Sequence, residues 1–206
     1  MTALFTGPYR KLLLDLLDMP SVNPLETGPD DPPSRLPDVL QRYAAAAADA
    51  GLRTVRLAPP PPAACLERPG VPATVRAAAA RDPRFLADQP SLLLRLGPER
   101  DADGTVMFNV HLDTVAGHAP PAFDGTRFTG RGAVDAKGPA VALLAGLRAA
   151  ASHPAVGRDV TVLVQAVAGE EGGALGTYGT RPLLEAGHHG RLNVFCEPTR
   201  LRALPR

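Results

Sequence analysis

The sequence predicts an α/β protein, a three-layer α/β/α sandwich, on three observations. Apolar residues recur at helical spacing over 8–18, 36–47 and 138–152. Short apolar runs at 91–96, 105–112, 160–169 and 192–197 read as strands. The two patterns alternate, and strands covered on both faces require a helical layer on each side of the sheet.

Taken in order, the first helix puts Leu12, Leu13, Leu16 and Leu17 on one stripe. Pro8 falls in its first turn, where a missing N–H costs nothing. SVNPLETGPDDPPS (21–34) is dense in turn formers and reads as a solvated loop. Leu36, Val39, Leu40, Tyr43 and Ala47 define a second helix, with Gly51 suited to cap its end. LRTVRL (52–57) alternates like a strand, APPPPAAC (58–65) reads as an extended spacer, and the Ala/Arg-rich stretch 73–88 reads as a helix. SLLLRL (91–96) and TVMFNVHL (105–112) are strands divided by the turn-rich GPERDADG. Pro139 opens an apolar helix over 138–152. VTVLVQAVAG (160–169) is a nearly continuous apolar strand, TRPLLEAG (180–187) a helix ending in glycine, and LNVFCE (192–197) another buried strand.

The 206 residues suit one domain, and 45% hydrophobic content is enough to build a core. Lys+Arg 22 against Asp+Glu 21 gives a formal charge of +1, which argues against a dedicated nucleic-acid or anionic-membrane binder. No apolar run approaches the roughly 20 residues of a membrane span, and the first residues lack the pattern of a secretory signal. Cys65 and Cys196 do not make a disulfide framework. A cytoplasmic protein is expected, without nucleic-acid or membrane partners.

Four segments carry chemistry. His111 and Asp113 end a strand two residues apart, so both side chains share a face and the carboxylate can accept the second ring N–H of a metal-bound imidazole. Asp135 lies in the glycine-framed turn TGRGAVDAKGP, whose spacing fits neither a phosphate loop nor a dinucleotide loop. Glu170 and Glu171 stand in GEEGG as a buried strand ends. One such carboxylate can hold a metal while its neighbour moves a proton. Glu197 closes another strand in CEPT, and Pro198 keeps it extended. Each segment alone is equally a turn or a solvated strand end. Together they bring one imidazole and five carboxylates to one edge of a sheet, where α/β proteins bind ligands, as a donor set for two zinc ions.

The stretches NVHLDTV, FDGTRFTGRGAVDAKGP, GEEGG and CEPT resemble the co-catalytic zinc aminoacylase and carboxypeptidase superfamily, which includes acetylornithine deacetylase, succinyl-diaminopimelate desuccinylase, glutamate carboxypeptidase and related dipeptidases. The resemblance covers residues 105–200 and, loosely, 8–57. It implies that residues 1–206 are the N-terminal part of a zinc-peptidase-like catalytic domain, incomplete at the C-terminus and without the lid and dimerisation domain. By resemblance, His111 and Glu197 bind one zinc, Asp135 bridges both, and Glu171 binds the second. Asp113 orients His111, Glu170 is the general base, and the peptide after Asp135 is cis. The implied reaction cleaves the amide of an N-acyl amino acid or small peptide with a water activated by two Zn2+, for which Co2+ can substitute.

The sequence departs from that pattern at Ala136 and Pro139, and in lacking a late histidine for the Glu171 side. His188-His189 reads as a surface turn rather than a replacement. The alternative reading is a truncated, catalytically silent metal-binding chain, or a half needing a separately encoded C-terminal partner. A homodimer is expected only where the lid exists. A nucleotide-binding domain rests on the glycines around Arg131 alone and leaves GEEGG and CEPT unexplained.

Overall fold

The structure is a computed structural model and describes residues 6–198. Residues 1–5 and 199–206, including Thr199 of the CEPT stretch, lie outside the described residues.

Six helices are described: α1 (Gly7–Asp18), α2 (Leu36–Asp49), α3 (Pro62–Leu66), α4 (Ala73–Arg81), α5 (Lys137–Ala150) and α6 (Thr180–Glu185). The described strands are β1 (Arg53–Ala58), β2 (Ser91–Leu96), β3 (Thr105–His111), β4 (Ala122–Phe123), β5 (Phe128–Thr129), β6 (Thr161–Val167) and β7 (Leu192–Phe195). β4 and β5 form a small hairpin; the others form one mixed sheet in the order β1-β2-β6-β3-β7. β3 runs parallel to both β6 and β7, while β2 is antiparallel to β1 and β6.

Side-chain alternation divides the core. Leu92, Leu94, Val110, Val162, Val164 and Ala166 pack on one face with the buried stripes of α1, α2 and α5. Leu93, Met107 and Leu163 point to the other face, against Leu184 of α6. The expected three layers are therefore present, with a thick helical layer on one side and a thin one on the other. Leu12, Leu13, Leu16 and Leu17 are all buried, each contributing roughly 2 kcal/mol of transfer free energy. Tyr43 Oη donates to the Ala140 carbonyl at 2.9 Å, which joins α2 to α5 without leaving a buried hydroxyl unpaired.

Four sequence expectations change. Residues 58–65 are not wholly extended: with prolines filling its first positions, α3 starts at Pro62 and buries Cys65. The helix expected over 73–88 stops at Arg81, because Asp82 precedes Pro83 and is extended (φ −126, ψ 108). Strand β7 is an edge strand paired only with β3 among the described residues, so Leu192 and Phe195 are 56% and 51% exposed rather than buried. Finally, the start of the loop 21–34 is not solvated: Ser21, Val22 and Asn23 are buried, and Val22 bridges Thr114.

The register sets up the site. His111 pairs with Val167 across the parallel β3/β6 ladder, so the segments following both strands emerge side by side. Asn109 pairs with Phe195, which carries Glu197 to the same edge. No helix of the described residues is long and apolar enough to cross a membrane.

Candidate metal centre

His111 is the last residue of β3 and fully buried. Its Nε2 lies 2.7 Å from Asp135 Oδ1, and its Nδ1 lies 2.9 Å from the Asp113 carbonyl oxygen. Asp113 Oδ1 stands 3.6 Å from Nδ1, too far for a hydrogen bond, and acts on the ring through charge. Burial disfavours the imidazolium, but the carboxylates of Asp113, Asp135 and Glu197 outweigh it and push the His111 pKa up to about 10.

Asp135 sits just before α5, its side chain 46% exposed, and the Asp135–Ala136 peptide is cis. The turn that delivers it is held by backbone bonds from Lys137 and Gly138 N–H to the Gly132 carbonyl. Gly132 adopts φ +88, and a Cβ there would press on Lys137 and Thr114. Lys137 itself is buried; its Nζ donates to the Met19 carbonyl at 2.8 Å, and desolvation lowers its pKa to about 7.

Glu170 and Glu171 follow β6 in a glycine-rich turn. Gly172 has φ +69, and a Cβ there would lie 2.8 Å from Leu25 Cβ and 3.0 Å from Asn23 Oδ1, so only glycine lets this turn meet the N-terminal loop. Burial raises the carboxyl pKa of Glu170, Glu171 and Glu197, with the neighbouring carboxylates adding to it and His111 opposing it. For Glu171 the value reaches about 7.

Ligand atoms of His111, Asp135 and Glu171 all lie within 4.8 Å of one another, the spread that donors around one ion require. Glu170 and Glu197 stand outside this group but within electrostatic reach of His111. His111 is thus gathered with Glu171, whereas the sequence resemblance paired it with Glu197. An imidazole with carboxylates suits a divalent first-row ion. His188 and His189 line a different depression with Arg95 and Glu99, beside the opposite end of β6.

The sequence reading missed the buried support of this group. Asp113 Oδ2 accepts from Asn23 Nδ2 at 2.7 Å and from the Glu171 N–H at 3.1 Å. Asn23 Oδ1 accepts from Tyr178 Oη at 3.1 Å and from the Leu25 N–H at 3.0 Å. Nothing in the local pattern around Asn23 distinguishes it from an ordinary turn asparagine before proline; the one available signal was Tyr178, an aromatic residue set among glycines (GALGTYGT) close behind GEEGG.

An α/β sheet with an imidazole and carboxylates gathered beyond its parallel strand ends has the arrangement of a divalent-metal site. Comparison with known proteins agrees. Residues 107–203 match the family described as Peptidase family M20/M25/M40, so the resemblance read from the motifs is shown for this stretch, the N-terminal part of the pattern. The chain is similar to the LysW-lysine/LysW-ornithine hydrolase of Sulfurisphaera tokodaii, 34% identical over 96 residues, which are 47% of this chain and 25% of that one. It is 43% identical over 68 residues to an Aeropyrum pernix protein given the same name, covering 33% of this chain and 19% of that one. In structure it is similar to human carnosine dipeptidase 1, with a TM-score of 0.51 at 20% identity, covering 84% of this chain and 34% of that one. The chain therefore matches a quarter or less of these two sequence relatives and about a third of the dipeptidase.

Proposed function

We propose that this chain supplies the metal-binding N-terminal part of a metal-dependent hydrolase that cleaves an amide bond in an N-acyl amino acid or small peptide. The observation that carries the reading is the convergence of His111, Asp135 and Glu171 ligand atoms within 4.8 Å at a ligand-binding sheet edge. The hydrolase names of the sequence relatives support it.

In this reading His111, Asp135, Glu171 and Glu197 would hold Zn2+, with Co2+ as a substitute, and Asp135 would be a ligand common to both ions. The metal would supply Lewis-acid polarisation of the scissile carbonyl and a lowered pKa for water. Asp113 keeps the His111 ring oriented. Glu170, exposed beside the group and with a raised carboxyl pKa, takes the proton from the attacking water and delivers it to the leaving amine. A cytoplasmic location fits the two free cysteines. The exposed apolar residues of β7 favour a second reading, in which further polypeptide must cover this edge before turnover occurs.

The test is metal stoichiometry with hydrolysis of N-acetylated amino acids and dipeptides. Tight Zn2+ binding that Asp135→Ala reduces at every site supports the reading, and a full metal complement in that variant refutes the bridging role. Glu170→Gln is expected to abolish turnover with its metal retained; loss of metal in this variant would make Glu170 a ligand instead.

A further inference from the structure

We infer that Asn23, in the N-terminal loop, is a positioning residue for the candidate metal centre, acting through Asp113 on both His111 and Glu171. The inference rests on the metal-site reading above and goes beyond it, because Asn23 touches none of the candidate ligands' donor atoms.

Asn23 is fully buried, and two donors, Tyr178 Oη and the Leu25 N–H, converge on its side-chain oxygen. That pair settles which end of the amide is oxygen, so the NH2 group must face Asp113, to which it donates at 2.7 Å. Asp113 is buried as completely as Asn23. A carboxylate held at one oxygen by two donors has no freedom to rotate. Oδ2 is occupied by Asn23 and by the Glu171 N–H, while Oδ1, without a hydrogen-bond partner among the described residues, is left beside His111 Nδ1. Asp113 therefore joins two elements: its carbonyl oxygen, 2.9 Å from Nδ1, and the charge of Oδ1 act on the imidazole at the end of β3, while Oδ2 holds the backbone of an acidic turn after β6. Asn23 fixes that carboxylate in turn. Outer partners of this kind typically change metal affinity 10- to 100-fold.

The loop is pinned independently of this relay. Ser21 Oγ donates to the Leu112 carbonyl at 2.7 Å, and backbone bonds run both ways between residues 21–23 and Thr114. Removing the Asn23 amide can thus be separated from undocking the loop.

The experiment titrates the full 206-residue chain, freed of metal, with Co2+ while its visible absorption bands are followed, and with Zn2+ by competition. Unfolding curves are measured in parallel. Asn23→Ala is expected to weaken Zn2+ binding at least tenfold and to shift the Co2+ bands, which report ligand geometry. Tyr178→Phe, which keeps the ring and removes the hydroxyl, is expected to weaken binding several-fold in the same direction. Ser21→Ala loosens the loop without touching the carboxylate and is expected to lower stability with parent-like metal affinity and Co2+ bands. Should Asn23→Ala fail to fold, Tyr178→Phe decides. Parent-like affinity and bands in the relay variants overturn the inference while leaving the metal site standing, as does a Ser21→Ala loss equal to theirs. A parent chain that binds neither metal overturns the metal-site reading and this inference together.

Discussion

The candidate centre has two halves built on opposite terms. His111, Asp113, Asn23 and Tyr178 are fully buried and joined through hydrogen bonds and the Asp113–His111 contact. Across from them, the Asp135 side chain is 46% exposed, Glu170 is exposed, and Glu171 and Glu197 are half-buried with no hydrogen bond to their carboxylate oxygens among the described residues. One half is set by packing and would hold its shape without a ligand. The other is held by charge and by the Asp135–His111 bond, and its glutamate carboxylates are free to rearrange. The same functional group serves as scaffold where it is dry and pinned at one oxygen by two donors, and as an available donor where it is wet.

That contrast can be broken at its strongest point first. Asp113→Ala would leave the Asn23 amide and the Glu171 N–H buried without their acceptor. A stability loss of about 3 kcal/mol is expected from such unpaired buried groups, read as a lower urea midpoint. A midpoint within error of the parent's would mean the closed half is not preorganised. Gly172→Ala attacks the seam between the halves: a side chain at φ +69 meeting Leu25 is expected to cost about 2 kcal/mol by the same assay.

The pH dependence of the metal-free chain sharpens the comparison further. Glu171 has its folded pKa raised from 4.5 to about 7, so the fold keeps a proton that the unfolded chain releases, and stability falls as pH rises through that window. His111, raised from 6.5 to about 10, contributes stability that is complete below 6.5 and is lost as pH rises towards 10. Lys137 opposes it: with a folded pKa near 7 against 10.5, its contribution improves as pH rises over that interval. The net fall is expected mainly between pH 4.5 and 7, and Lys137→Met should steepen the decline above pH 7. A flat denaturation profile across both windows would contradict the charge-held description of the open half. The smallest effect is expected for Glu170→Gln, which should move stability by less than about 0.5 kcal/mol because the side chain is exposed and carries no hydrogen bond among the described residues.

The helices and central strands were legible because their signals are local and periodic: the leucines of α1 and the unbroken apolar run of β6 could not be satisfied otherwise. The candidate donor residues could be singled out because each stands at a strand end or in a glycine turn. What was not legible depends on distant pairing. An apolar run such as LNVF looks the same in a central strand and at an edge, and Leu192 and Phe195 are exposed because β7 has one described neighbour. Loop composition misled at residues 21–23, where a stretch dense in turn formers became an interior segment by docking on Thr114. Asn23 carried no local mark of its role, since its partners are Asp113 and Tyr178.

Those partners carry a consequence for how the protein forms. The bonds that complete the closed half span separations of 90, 91 and 155 residues along the chain. Contacts of such range must meet their loop-closure entropy before they return any free energy, so they are slow to form. During synthesis, Ser21 and Asn23 leave the ribosome long before Leu112, Asp113 and Tyr178 exist to receive them. The N-terminal loop must therefore wait while the sheet assembles, and the centre matures as one of the last features of the fold. A divalent ion that binds the finished centre and not the nascent chain would then draw that final docking forward by mass action.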